Sequence, residues 1–118
     1  MAEFALVLPI LAFLLFAVIQ FGIAFNNYIT LTDATRAGAR KAAASTTRRD
    51  PNPRQTCINA VRSSANGLKP ANLTADCVSD WQPGHDVVVT ATYPYSISLF
   101  GLFTKSGNLT STTTERIE

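Results

Sequence analysis

The sequence predicts an α+β protein: a long N-terminal α-helix with a protruding apolar half, and a small globular head of one helix and a three-stranded antiparallel sheet. Three observations carry that expectation. Residues 4–25 carry no charge and are apolar almost throughout, interrupted by Gln20 and Gly22. From residue 26 to about 48 the pattern turns amphipathic, with apolar positions recurring every three or four residues. Beyond Ala71 the chain is rich in Val and Thr and alternates in the manner of strands. The domain division that follows is a stalk over 1–48, apolar in 4–25 and amphipathic in 26–48, and a head over 49–118.

The stalk helix is expected from Met1 to about Ser45, a length of roughly 65 Å at about 1.5 Å per residue. That exceeds a small domain, so its first half must stand clear of the head. Pro9 removes one backbone donor and predicts a bend or a locally melted turn. In the amphipathic half, Tyr28, Leu31, Ala34, Ala37 or Gly38, and Lys41 or Ala42 form one stripe, with Arg36 and Arg40 on another face. The run Thr46 to Pro53 ends the helix, because Asp50 and Asn52 each precede a proline and are steered away from helical geometry.

A second helix is expected from Pro53 to Asn66, capped by Asn52 and stopped by Gly67. Its inner stripe is Ile58, Val61 and Ala65, with Cys57 on the adjoining face. Leu73 to Trp81 reads as a loose strand with Leu73, Ala75, Cys77 and Trp81 inward, and Gln82 to His85 as a turn. Asp86 to Tyr93 is the clearest strand, and Pro94 is expected to end its pairing. Tyr95 to Lys105 reads as a loop or short helix, and Leu109 to Ile117 as a Thr-rich last strand.

The chain has 118 residues and a formal net charge of +2, too little to imply nucleic acid. Basic residues gather in Arg36, Arg40, Lys41, Arg48, Arg49, Arg54, Arg62 and Lys69, opposed in that stretch by Asp50 alone; further acidic residues follow in the C-terminal part. They make either a solvated face or a surface complementary to a neighbouring copy or an anionic one. Cys57 and Cys77 are an even pair in a short chain of exported character, which favours one disulfide over two unrelated buried thiols. Closing a loop of that size is worth about 3 kcal/mol in the chain-entropy model. One His and no Cys-x-x-Cys offer no structural zinc set, and no phosphate-binding, dinucleotide-binding or calcium-loop motif is present, so neither metal nor cofactor is predicted. The single His85 falls in a turn with no nucleophile and base pattern around it, so no catalytic residue is predicted.

Asn72-Leu73-Thr74 and Asn108-Leu109-Thr110 match the N-glycosylation acceptor pattern, a triplet that also arises by chance. The Ser/Thr cluster from Ser106 to Thr114 reads either as a site for O-linked sugar or simply as a Thr-rich strand. Ile97, Leu99, Phe100, Leu102 and Phe103 either cover the head's own core or dock on a neighbouring copy, with Phe100, Leu102 and Phe103 the favoured docking set.

The apolar segment is long enough to cross a bilayer, so an ordinary membrane anchor is the plain alternative to a helix that packs among copies of itself. Two features favour packing. Glu3 sits at the helix start, where the dipole favours a carboxylate, and inside a bundle it would need a cation such as the Met1 α-amine of a neighbour. The positive charges follow the segment, which would leave the head in the cytoplasm, at odds with a disulfide. A basic leader removed by processing resolves that conflict, with Met1 as the mature first residue.

The stretch Ala2-Glu3-Phe4-Ala5-Leu6-Val7-Leu8-Pro9, continuing to Ile19-Gln20-Phe21-Gly22, and the segment Ala34-Thr35-Arg36-Ala37-Gly38-Ala39-Arg40 resemble TadE-like pilins and pseudopilins of tight-adherence pilus systems. The likeness covers about the first third of the chain and departs at Gln20, where the family often has an acidic residue. It implies a subunit trimmed by a prepilin-type peptidase, held in the inner membrane and taken up by assembly machinery into a homopolymer on the cell surface. Glu3 would then register subunits together with Met1. Phe4, Leu8, Leu11, Leu15, Ile19, Phe21 and Phe25 would line the polymerisation helix. The expected role is structural, in adhesion or surface attachment, with a minor pseudopilin or a membrane-anchored binding domain as alternatives.

Overall fold

A single helix, α1, takes up Ala2–Ala43 and dominates the shape of the molecule, which measures 71 × 21 × 18 Å in this computed structural model. Residues 1–99 and 103–118 are described, except for the side chains of residues 98, 99 and 103. The predicted docking residues Phe100 and Leu102, and the side chain of Phe103, lie outside that description. After α1 come a four-residue turn of helix, α2 (Ser45–Arg48), the helix α3 (Pro53–Ser64), and the strands β1 (Thr74–Val78), β2 (Asp86–Leu99) and β3 (Phe103–Arg116). The strands form one antiparallel sheet in the order β1-β2-β3, which with the helices gives the expected α+β fold.

The helix boundaries follow local chemistry. α1 runs through Pro9 without interruption, although the proline leaves the Ala5 carbonyl without its usual donor. It stops two residues short of Ser45, and α2 ends at Arg49 in left-handed geometry with φ of 54°. α3 starts as predicted: Pro53 occupies the first turn and the Asn52 side chain accepts from the Gln55 N–H at 3.3 Å. Its last helical residue is Ser64, two before the expected Asn66.

The sheet departs further from expectation. β1 is confined to Thr74–Val78, so Trp81 lies beyond it with φ of 58°, though it packs against the core. Pro94 does not end β2. It stands opposite Asn108, and pairing continues to Leu99 opposite Phe103. The reason lies in the third strand: β1 pairs with β2 only as far as Thr92, so beyond that point β2 has a free edge where a proline is tolerated. Tyr95 to Leu99 is therefore strand, not loop or short helix, and β3 begins at Phe103 instead of Leu109. Tyr95 also covers Gly107 across the ladder, so close that a Cβ on Gly107 would lie 3.0 Å from the ring.

The core gathers Leu31, Ala34, Ala39 and Ala42 of α1, Cys57 and Val61 of α3, and Cys77, Val87, Val89 and Ala91 of the sheet, closed by Ile117. α1 approaches α3 at Gly38, where any Cβ would collide with the Val61 side chain and crowd the Cys57 carbonyl. The predicted stripe holds at Leu31, Ala34, Gly38 and Ala42, whereas Tyr28 is exposed and Thr35 is fully buried. Thr35 is tolerated because its hydroxyl donates to the Thr32 carbonyl at 2.8 Å and sits 2.9 Å from the Thr113 hydroxyl. Ser111 donates to the Thr32 hydroxyl at 3.1 Å, so α1 and β3 meet through paired hydroxyls. The last residues tie the sheet to the end of α1: Ile117 exchanges backbone bonds with Gly84 and His85, and the Glu118 N–H donates to the Ala43 carbonyl.

Cys57 and Cys77 form the predicted disulfide, joining α3 to β1 across a separation of 20 residues. Beside it the Arg54 guanidinium donates twice to Asp76, at 2.8 and 3.2 Å, so the same two elements are linked on the surface as well.

Candidate assembly surface

The feature that needs explanation is the first half of α1. A helix in water hides its apolar side chains on one face against something. Here the most apolar window has a mean hydropathy of 2.7, and none of it is buried. Phe4, Leu8, Leu11, Leu15, Ile19, Phe21 and Phe25 are each exposed, from 50% at Ile19 to 70% at Phe4. Phe4, Leu8, Leu11, Leu15 and Ile19 succeed one another by three or four residues and share one face, but Leu6, Val7, Ile10, Leu14, Val18 and Ile23 are exposed on the others. The segment is apolar all round, which suits surroundings that are apolar all round. By length and composition the helix is able to cross a membrane.

Met1 precedes the helix and Glu3 lies in its first turn, both exposed. The Met1 carbonyl accepts from the Ala5 N–H at 3.1 Å, the first bond of the helix. By rise alone, Glu3 stands about 27 Å from the level of Phe21, beyond the described residues of the head that line α1 there.

The head offers one pronounced apolar concavity among the described residues. A groove of about 770 Å³ opens between Phe21, Ala24, Phe25 and Tyr28 of α1 and Tyr95, Ile97, Lys105 and Leu109 of the β2–β3 hairpin. Tyr95, Ile97 and Lys105 of this wall fall in the stretch expected as a loop or short helix. The signal was available in Tyr93, Tyr95 and Ile97 alternating with Pro94, Ser96 and Ser98, the period of a strand with one buried face.

The remaining predicted positions lie on the surface of the head. Asn72 and Asn108 are both exposed, as are Thr74 and Thr110 of their triplets. Within the Ser/Thr cluster, Ser111 and Thr113 turn toward α1, while Thr110, Thr112 and Thr114 are exposed. His85 is exposed, its Nδ1 3.2 Å from the Asp80 carboxylate. Of the basic stretch, Arg54 pairs with Asp76 and Arg48 approaches Asp50 at 3.6 Å, while Arg36, Arg40, Lys41, Arg49, Arg62 and Lys69 are exposed. Asp76 is held below the ordinary carboxyl range chiefly by the Arg54 guanidinium, with help from the Cys77 N–H and against partial burial. Asp50 is also lowered. The Thr56 hydroxyl contributes most, followed by the Asn52 N–H at 3.0 Å and, against some burial, Arg48.

An apolar rod largely without cover in the single chain is thus continuous with a disulfide-stapled head. Residues 1–40 match the family model described as TadE-like protein, the family that the N-terminal motifs resemble. Neither the curated proteins nor the solved structures give a match to this chain. The match covers residues 1–40 alone, so the likeness to this Tad pilus-associated structural family is one of the N-terminal helix. The apolar helix fits a membrane-anchored component of such a system.

Proposed function

We propose that this chain is the structural subunit of an extracellular Tad-type pilus, polymerising through residues 4–25 of α1 and displaying its head outward in adhesion or surface attachment. The observation that carries this reading is an apolar surface exposed on every side of one half of a helix whose other half is the spine of a folded head. Burying one Leu or Phe is worth about 1.5–3 kcal/mol, and this segment presents more than a dozen large apolar side chains. Copies bundled around a common axis would cover all of them once lipid is left behind. Before assembly the same segment would hold the subunit in the inner membrane, where a prepilin-type peptidase and the assembly machinery would act on it. Glu3 would set the register of neighbouring helices, with the Met1 amine as one cation within reach of a bundle's first turns, and Pro9 would supply the bend.

The test is Leu15→Asp or Ile19→Asp in the producing cell. Filaments recovered by shearing should disappear while the chain persists with its Cys57–Cys77 disulfide formed. Normal filaments from either variant would refute polymerisation through this helix.

A further inference from the structure

The β2–β3 hairpin rises beside α1 toward the apolar segment: Thr113 meets Thr35, Ser111 meets Thr32, and Leu109 shares the groove with Phe25 and Tyr28. The groove walls are almost entirely apolar, and their one cation is Lys105 of β3. Lys105 is exposed, and among the described residues it makes no ion pair. Glu3 is an exposed carboxylate at the far end of the apolar segment, also without an ion pair among the described residues. The two cannot meet within one chain, because 18 residues of helix, about 27 Å, separate Glu3 from the nearest groove residue of α1. Glu3, Val7 and Ile10 follow one another by four and three residues, so one exposed helix face carries a carboxylate followed by two apolar side chains.

We propose that the groove receives the first turns of α1 from a second copy of the chain, with Val7 and Ile10 seated between α1 and the hairpin and the Glu3 carboxylate paired with the Lys105 ammonium. This rests on the pilus-subunit reading and gives it a specific contact. The occupant follows from chemistry already in the molecule: an apolar groove with one positive rim residue, and an apolar helix face with one negative end. It also fixes geometry, since the donor copy must be displaced along the axis by about 27–33 Å, the rise from Glu3 to the level of Phe21–Phe25. The Glu3 charge is then neutralised at the edge of the apolar bundle, where an unpaired carboxylate is costly.

Sheared filaments of the native chain, treated with a water-soluble carbodiimide, provide the test. The reagent condenses a carboxylate and an amine in direct contact into an amide, taking up the water lost. Peptide mass spectrometry should find Glu3 of one copy joined to Lys105 of another. Lys105→Arg should abolish that crosslink and keep the filaments, whereas Lys105→Glu should cut filament yield on the order of tenfold or more. Ala24→Trp, which fills the groove, should do the same with the disulfide intact, and Ala24→Val should not. Wild-type filaments with no Glu3–Lys105 crosslink, as when lipid fills the groove or Glu3 couples to a neighbour's Met1 amine, would overturn the proposal. So would normal assembly of Lys105→Glu or Ala24→Trp. If the native chain yields no filaments at all, the parent reading fails, and this contact with it.

Discussion

The two halves of α1 are one unbroken helix built from different materials. Toward the head its buried positions are Leu31, Ala34, Thr35, Gly38, Ala39, Ala42 and Ala43, all but the first small or hydroxyl-bearing. The other half is crowded with Phe, Leu, Ile and Val, most of them exposed in the single chain. Small residues let α1 come close enough to α3 that no Cβ fits at Gly38, so contact is concentrated on one stripe. Large residues on every face do the reverse: they gain from being surrounded. One half is shaped for a single fixed neighbour within the chain, the other for several outside it.

That contrast is breakable by matched substitutions, measured as unfolding midpoints of the detergent-solubilised chain. Leu31→Ala removes a fully buried side chain and should cost about 2–5 kcal/mol, whereas Leu15→Ala should leave the head within about 0.5 kcal/mol of the parent. Equal losses at the two sites would mean that both halves stabilise the head, and the contrast would fail. Removing the disulfide with Cys57→Ser and Cys77→Ser should cost about 2–4 kcal/mol and release α3 from β1 first, seen as early loss of amide protection in α3. Asn52→Ala should cost about 1 kcal/mol through loss of the α3 cap, again without effect on the apolar half.

The smallest effect is electrostatic. Asp50 and Asp76 both have carboxyls lowered from an ordinary value of 3.8 in the fold. A lowered carboxyl pKa means that the folded state favours the ionised form, so its contribution is fully present above the ordinary value and lost as pH falls through the lowered one. The melting midpoint should therefore be level from neutrality down to about pH 5 and decline below about pH 4. Asp76→Asn should flatten part of that decline, and a decline unchanged in Asp76→Asn would remove the Arg54 contact from the account.

The sequence made the strongly patterned parts legible. The apolar run of 4–25, the Asn52–Pro53 helix start and the Val87–Val89 strand each obey one local rule, and each stands where that rule puts it. Pairing of Cys57 with Cys77 follows from there being two cysteines. What was not legible depends on neighbours distant in sequence. Pro94 reads as a strand end until β1 is known to stop opposite Thr92. Thr35 lies off the expected apolar stripe and is buried because Thr113, 78 positions away, supplies a partner for its hydroxyl. The groove is illegible for the same reason, since its two walls come from residues 21–28 and 95–109, brought together only by the fold.

The absence of any break in α1 between the apolar rod and the core has a mechanical consequence. Traction on the rod reaches Leu31 and Gly38 through continuous helix, with no hinge to absorb it. The force then crosses to the sheet along the flank of α1, through the Thr32–Ser111 and Thr35–Thr113 contacts and the Ala43–Glu118 tie. These bonds join elements lying side by side, so they are strained together and not opened one after another like a zip. A head hung in this way resists being torn off its own stem for as long as α1 stays helical.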